Sequence, residues 1–248
     1  MLQMAVSICL MALITHTKTG GVIVNQHTLT AAQARRRIEV LGKWFDFIGP
    51  DELPLRLQKP GRRPFCLLTF DDGKRSNFTQ VAPELERNGV PAVFYVVTES
   101  LTQGSPFWFD RVQKLVRTLG YCPPGLELTT LKLLPFAELT ARVQQACERY
   151  GAQPDTDLDD DVRPMTWDEA RILNRRGFVI GAHGRTHAIL TRETAERAFE
   201  EIESSLSTVS SELGTRCKTF AFPNGNYTPA LAQHALRCGA TTAMTTDP

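Results

Sequence analysis

The segment CLLTFDDGKRSN, residues 66–77, runs an apolar strand directly into two adjacent carboxylates, Asp71 and Asp72, and then Gly73. Neighbouring residues of an extended chain point to opposite sides, so one carboxylate can bind a metal ion while the other accepts a proton. A plain Asp-Gly turn leading into the next helix is the competing reading. A second apolar run, GFVIGA (177–182), ends on His183, and His187 follows four residues later. Imidazoles at that spacing can converge on one divalent ion where the chain between them turns, which Gly184 favours. Zinc proteases share the spacing, but they carry a catalytic Glu directly after the first His, where this chain has Gly184. A His pair alone is more often structural. Two histidines and a carboxylate at strand ends supply three ligands and leave a position for water, as hydrolytic metal sites do.

A third run, KTFAFPNGNYTP (218–229), gives a strand and then Pro223, Asn224 and Gly225, a turn able to aim the backbone N–H of Asn224 at a developing oxyanion. His27, at the end of the first strand, is a weaker candidate for the same crevice, while His16 and His234 read as surface residues of a loop and a helix. Asp155, Asp157, Asp159, Asp160 and Asp161 begin with the spacing of a calcium loop. Asp160 then stands where that loop needs Gly, and Thr166 where it needs a bidentate Glu, so a solvated acidic loop is expected.

These groups need a scaffold that brings strand ends together. From Gly21 onward short apolar runs alternate with longer amphipathic ones, the habit of parallel α/β architecture, in which the carboxyl ends of the strands line the functional crevice. Strands are expected near 22–26, 65–70, 92–97, 178–182, 218–222 and 240–245. Helices are expected near 31–45, 76–88, 108–118, 166–176, 193–213 and 228–237, the fifth opening at Thr191. The stretches before 65 and between 98 and 165, the latter with a helical segment near 136–150, read as insertions at the rim rather than separate domains.

Composition sets the outer bounds. The 248 residues, 42% hydrophobic and 22% charged, exclude disorder and collagen-like repetition. A formal net charge of +1 gives no global attraction for nucleic acid or an anionic membrane. The six cysteines include no C-x-x-C pair and read as reduced or packed thiols. Residues 5–14 form an apolar run too short to span a bilayer, which takes about 20 residues, so no transmembrane segment is expected. No Lys or Arg precedes Lys18, so a signal peptide is disfavoured and a cytoplasmic location is slightly preferred over secretion.

With these motifs in hand, the sequence resembles the polysaccharide deacetylases of the NodB-homology group, carbohydrate esterase family 4. The resemblance rests on TFDDG at 69–73, H-x-x-x-H at 183–187 and the P-x-G turn at 223–225, in type, order and approximate spacing. It extends to MTWDEARILNRRGFVIGAH (165–183) and HTLTAAQARRRIEVL (27–41), and so covers nearly all of 21–248, with 1–20 as an N-terminal extension. It implies a distorted parallel (β/α) barrel that hydrolyses N-acetyl, occasionally O-acetyl, groups on carbohydrates with a divalent metal, usually zinc. On that resemblance Asp71 is the general base, Asp72, His183 and His187 hold the metal, and Asn224 serves the oxyanion.

Three positions depart from the family pattern. Ala221 stands where an Arg often orients the base, and Gly184 where Ser or Thr is common. The family's last motifs, including a His that acts as general acid, should follow the sixth strand, whereas this sequence ends at Pro248. The expectation is therefore a barrel incomplete at its C-terminus, with an open edge able to self-associate. The counter-expectation is that residues 5–14 close the barrel in another order, which moves the search for the proton donor to His27 or a metal-bound water. Besides deacetylation, two further readings stand: a vestigial carbohydrate-binding member that keeps the fold without turnover, and a hydrolase of non-sugar C–N bonds.

Overall fold

The runs Phe65–Phe70 and Ala92–Val96 are buried at every position, as parallel strands covered on both faces must be. In the computed structural model, which describes residues 20–151 and 159–245, they lie at the centre of one parallel sheet. Its strands are β1 (Gly21–Gln26), β2 (Asp46–Phe47), β3 (Phe65–Phe70), β4 (Ala92–Val96), β5 (Val179–Ala182), β6 (Thr219–Ala221) and β7 (Thr242–Met244). Their order is β1-β3-β4-β5-β6-β7, with β2 also beside β3. Since β1 pairs with β3 from Phe65 to Phe70, β2 and β4 share the opposite edge of β3.

The two-residue alternation of the strands sorts their side chains. Cys66, Leu68, Phe70, Phe94, Ile180 and Phe220 pack outward beneath the helices. Phe65, Leu67, Val93, Tyr95 and Ala221 pack on the inner face. The inner row of β3 continues through Thr69 to Asp71, and that of β5 through Gly181 to His183, so register carries both groups toward the mouth. Only glycine fits at 181: a Cβ there would lie 2.4 Å from the ring of Tyr95. The Tyr95 hydroxyl is hydrogen bonded to Thr219 at 2.6 Å and closes the floor beneath the site.

The helices are α1 (Ala31–Gly42), α2 (Leu53–Gln58), α3 (Ala82–Arg87), α4 (Thr98–Gln103), α5 (Trp108–Leu119), α6 (Leu128–Leu131), α7 (Phe136–Arg149), α8 (Trp167–Arg175), α9 (Ala195–Leu213) and α10 (Pro229–Arg237). Thr30 with Gln33 and Thr166 with Glu169 form capping boxes that start α1 and α8. The start of α9 differs from the expectation. Residues Leu190–Arg192 form a 3-10 turn, and it is Thr194 that caps the helix by accepting from the N–H of Arg197. The helix expected at 76–88 is divided, a π-helical turn at Asn77–Val81 preceding α3. Short elements escape sequence periodicity: β2, α2, α4 and α6 are each six residues or fewer.

Within the 98–165 insertion, α5, α6 and α7 build a small core of their own from Trp108, Val112, Leu115, Leu131, Leu139 and Val143. Two polar contacts tie it to loops of the main fold: the buried Lys74–Asp110 ion pair, and the N–H of Phe136 donating to Glu193 Oε1 at 2.6 Å.

Among the described residues β1 and β7 do not pair, so the sheet is an open arc, a parallel half-barrel of the expected distorted class. The run 5–14 lies outside the described residues. No helix of those described is long and apolar enough to cross a membrane. Cys66, Cys147 and Cys217 are buried, and burial pushes the Cys66 thiol up to about 12, consistent with packed, unreactive thiols.

Candidate metal centre

Three chain reversals at strand ends build the site. Asp72, His187 and Asn224 are the only non-glycine residues of positive φ among the described residues, at 72°, 65° and 58°. Left-handed backbone at such residues costs on the order of 1–3 kcal/mol each and persists only where the surroundings impose it. All three border one cavity of about 850 Å³, together with Asp71, His183 and His27. A smaller cavity of about 490 Å³ at the amino ends of β5 and β6 contains none of these groups.

Asp72, His183 and His187 each present a ligand atom, all within 4.8 Å of one another. Asp72 Oδ1 lies 3.2 Å from His187 Nε2 and 3.8 Å from His183 Nε2, and it is buried without a hydrogen-bond partner. His183 Nδ1 is 2.8 Å from the carbonyl of Ala221. A carbonyl can only accept, so Nδ1 carries the proton and Nε2 turns its lone pair toward Asp72, the tautomer that a metal requires. Burial holds the His183 pKa below its ordinary value, against the opposing pull of Asp71 and Asp72, so the ring stays neutral. Burial works against the charge on Asp72, but contact with His187 and the proximity of His183 and His27 outweigh it and hold the carboxyl below the usual carboxylate range. An orphaned buried oxygen facing two imidazoles fits a divalent cation.

Asp71 faces the same space. Its Oδ2 accepts from Asn25 Nδ2 at 2.6 Å and lies 3.9 Å from His183 Nε2, while Oδ1 is buried and unpaired. Asn25 comes from β1 and anchors this carboxylate across the sheet. Ala221 lies on the inner face of β6, where its small side chain leaves the cavity open.

The loop between the two histidines is braced from α9. Glu201, fully buried, accepts from the N–H groups of Arg185 and Thr186 at 2.8 Å each and from the Thr186 hydroxyl at 2.9 Å. It also pairs with Arg197 at 3.0 Å. The insertion supplies a wall. Phe107 and Phe109 stack with ring centroids 5.0 Å apart, and each meets the His187 ring at about 5.5 Å. Lys74, two residues beyond Asp72, places its ammonium 4.3 Å from the Phe107 centroid.

Sequence reasoning missed Asn25, Glu201, Phe107 and Phe109. Two of its surface assignments also need correction. His234 is buried, with its ring stacked on Phe199 at 4.0 Å. Asp160 is not merely solvated, because it pairs with Arg75 at 2.9 Å and accepts from Thr79, bracing the chain just after Asp72.

The profile of a family described as polysaccharide deacetylase matches residues 58–243. No curated protein matches the chain in sequence. Among solved structures, the deacetylase PplD of Streptococcus pyogenes, in complex with acetate, superposes with a TM-score of 0.61 at 15% identity, covering 92% of this chain and 84% of that one. IcaB from Ammonifex degensii gives 0.61 at 15% identity, covering 90% and 82%. The BpsB deacetylase domain from Bordetella bronchiseptica gives 0.54 at 19% identity, covering 94% and 84%. At these identities the likeness is one of fold.

Proposed function

The chain belongs to the polysaccharide deacetylase family, and we propose that it is a metal-dependent hydrolase removing N-acetyl, or O-acetyl, groups from a carbohydrate. One observation carries the reading: three convergent ligand atoms and a separately anchored carboxylate open onto a single cavity. Asp72, His183 and His187 would hold the ion, with zinc the best match for imidazole and carboxylate ligands. When bound, it supplies Lewis acidity toward the acyl carbonyl and acidifies water. Asp71 accepts the proton of the attacking water through its free Oδ1. The N–H of Asn224, a residue bordering the cavity, would serve the oxyanion.

His27 is the proposed proton donor to the departing amine. β1 pairs along the whole of β3, and His27 lies just beyond the carboxyl end of β1 and borders the cavity. The same pairing along β1 supports reading 21–248 as one NodB-like domain.

The test is acetate release from an acetylated chito-oligosaccharide. Activity is expected to vanish after chelation and to return with added Zn²⁺. A protein that is fully metal-loaded yet releases no acetate from any acetylated glycan supports the vestigial binding alternative instead. Asn25 yields a second expectation. Asn25→Ala should lower kcat about tenfold, the size of one lost orienting hydrogen bond to a charged group. An unchanged kcat would remove Asn25 from the machinery.

A further inference from the structure

We propose that Glu203, His234 and Cys238 form a second divalent-metal site, selective for a thiophilic ion such as Zn²⁺, on the outer side of the molecule where α9 and α10 pack. Each offers one ligand atom, and all lie within 4.8 Å of one another. None of the three borders the cavity that holds Asp72, His183 and His187.

His234 and Cys238 are four residues apart along α10 and its C-cap, so both project from one helix face. Glu203 arrives from α9, which packs against α10. Phe199, stacked on the His234 ring with planes 14° apart, fixes its orientation. The buried Nε2 faces Glu203 Oε1 at 2.9 Å, yet makes no hydrogen bond of acceptable geometry. On the other side Arg237 lies 3.3 Å from Nδ1; a guanidinium can only donate, so its exposed side chain must swing aside when an ion takes Nε2 and the proton moves to Nδ1.

The donor set decides the ion. Thiolate and imidazole favour zinc over calcium or magnesium, and the carboxylate with the thiolate neutralises a 2+ charge. The C-terminal end of α10 adds its partial negative charge. Glu203 is exposed, so water can complete a tetrahedral shell. An ion there would clamp α10 to α9, the helix whose Glu201 braces the His183–His187 loop.

Cobalt(II) tests the site on the full chain, because a sulfur-to-metal charge-transfer band requires a bound thiolate and the Asp72, His183, His187 cluster has no sulfur. We expect the band to appear on titration, to persist in His183→Ala and to be lost in Cys238→Ser. Glu203→Gln should weaken cobalt binding at least about tenfold. Cys238→Ser and Glu203→Gln fall at a half-buried and an exposed position, so the fold is not at risk from either. Absence of the band at saturating cobalt, or a band that survives Cys238→Ser, would overturn the proposal.

Discussion

Asp71→Asn is expected to fold and bind metal as the wild type does while kcat for acetate release falls by about 10²–10⁴-fold, the usual worth of a positioned general base. The two oxygens of Asp71 have different surroundings. Oδ2 is held by Asn25, and Oδ1 is buried with no partner. An Asn side chain of the same volume can still accept from Asn25 through its oxygen, which leaves the amide nitrogen at the open position. That nitrogen donates and cannot take a proton from water. The ligand atoms of Asp72, His183 and His187 are untouched, so zinc content and the thermal midpoint should stay near wild type. Turnover near wild type would show that Asp71 is only a turn residue, and a lost metal would show that it belongs to the ligand set.

Much of this arrangement was legible in the sequence because it follows from local rules. The apolar runs that form β3 and β4 are buried on both faces, so they stand out whatever surrounds them. In a parallel sheet the carboxyl ends of the strands line one crevice, so Asp71 and Asp72 after β3 and His183 after β5 could be assigned to the same mouth without any knowledge of the loops, although β4 lies between the two strands. What was not legible acts across the sequence. Asn25 reaches Asp71 over 46 positions, and the Ala221 carbonyl reaches His183 over 38. The latter partner is backbone and leaves no trace in residue type. Phe107 and Phe109 belong to an insertion whose own core hides its direction of packing. His234 was misread for a related reason: the polar residue on α10 faces the aromatic ring of Phe199 on α9 instead of water.

The same limit explains Gly184. With φ at +76°, the residue is left-handed, and a Cβ there would stand 3.4 Å from Glu201 Oε2. The bracing that a hydroxyl at 184 could have supplied comes instead from that carboxylate, 15 and 16 positions away in Thr186 and Arg185.

Glu201→Ala should therefore be among the most damaging single changes outside the proposed metal ligands. It strips the acceptor from two backbone N–H groups, a hydroxyl and the Arg197 guanidinium at once. Removing one member of a buried charged network costs about 3–5 kcal/mol, because the remaining groups stay desolvated and unpaired. The expected readout is a matching fall in the urea midpoint. Metal affinity should fall with it, by about 10–100-fold, since the left-handed turn at His187 is held only while the loop before it is held. Glu201→Gln separates the two roles of the side chain. Its amide oxygen can still accept from the Arg185 and Thr186 N–H groups, whereas its NH₂ faces Arg197 with a donor where an anion stood. That variant should retain more metal affinity than stability, relative to Glu201→Ala. If Glu201→Ala unfolds at the wild-type urea concentration and binds zinc as tightly, the loop is fixed by its own turn and the brace from α9 is incidental.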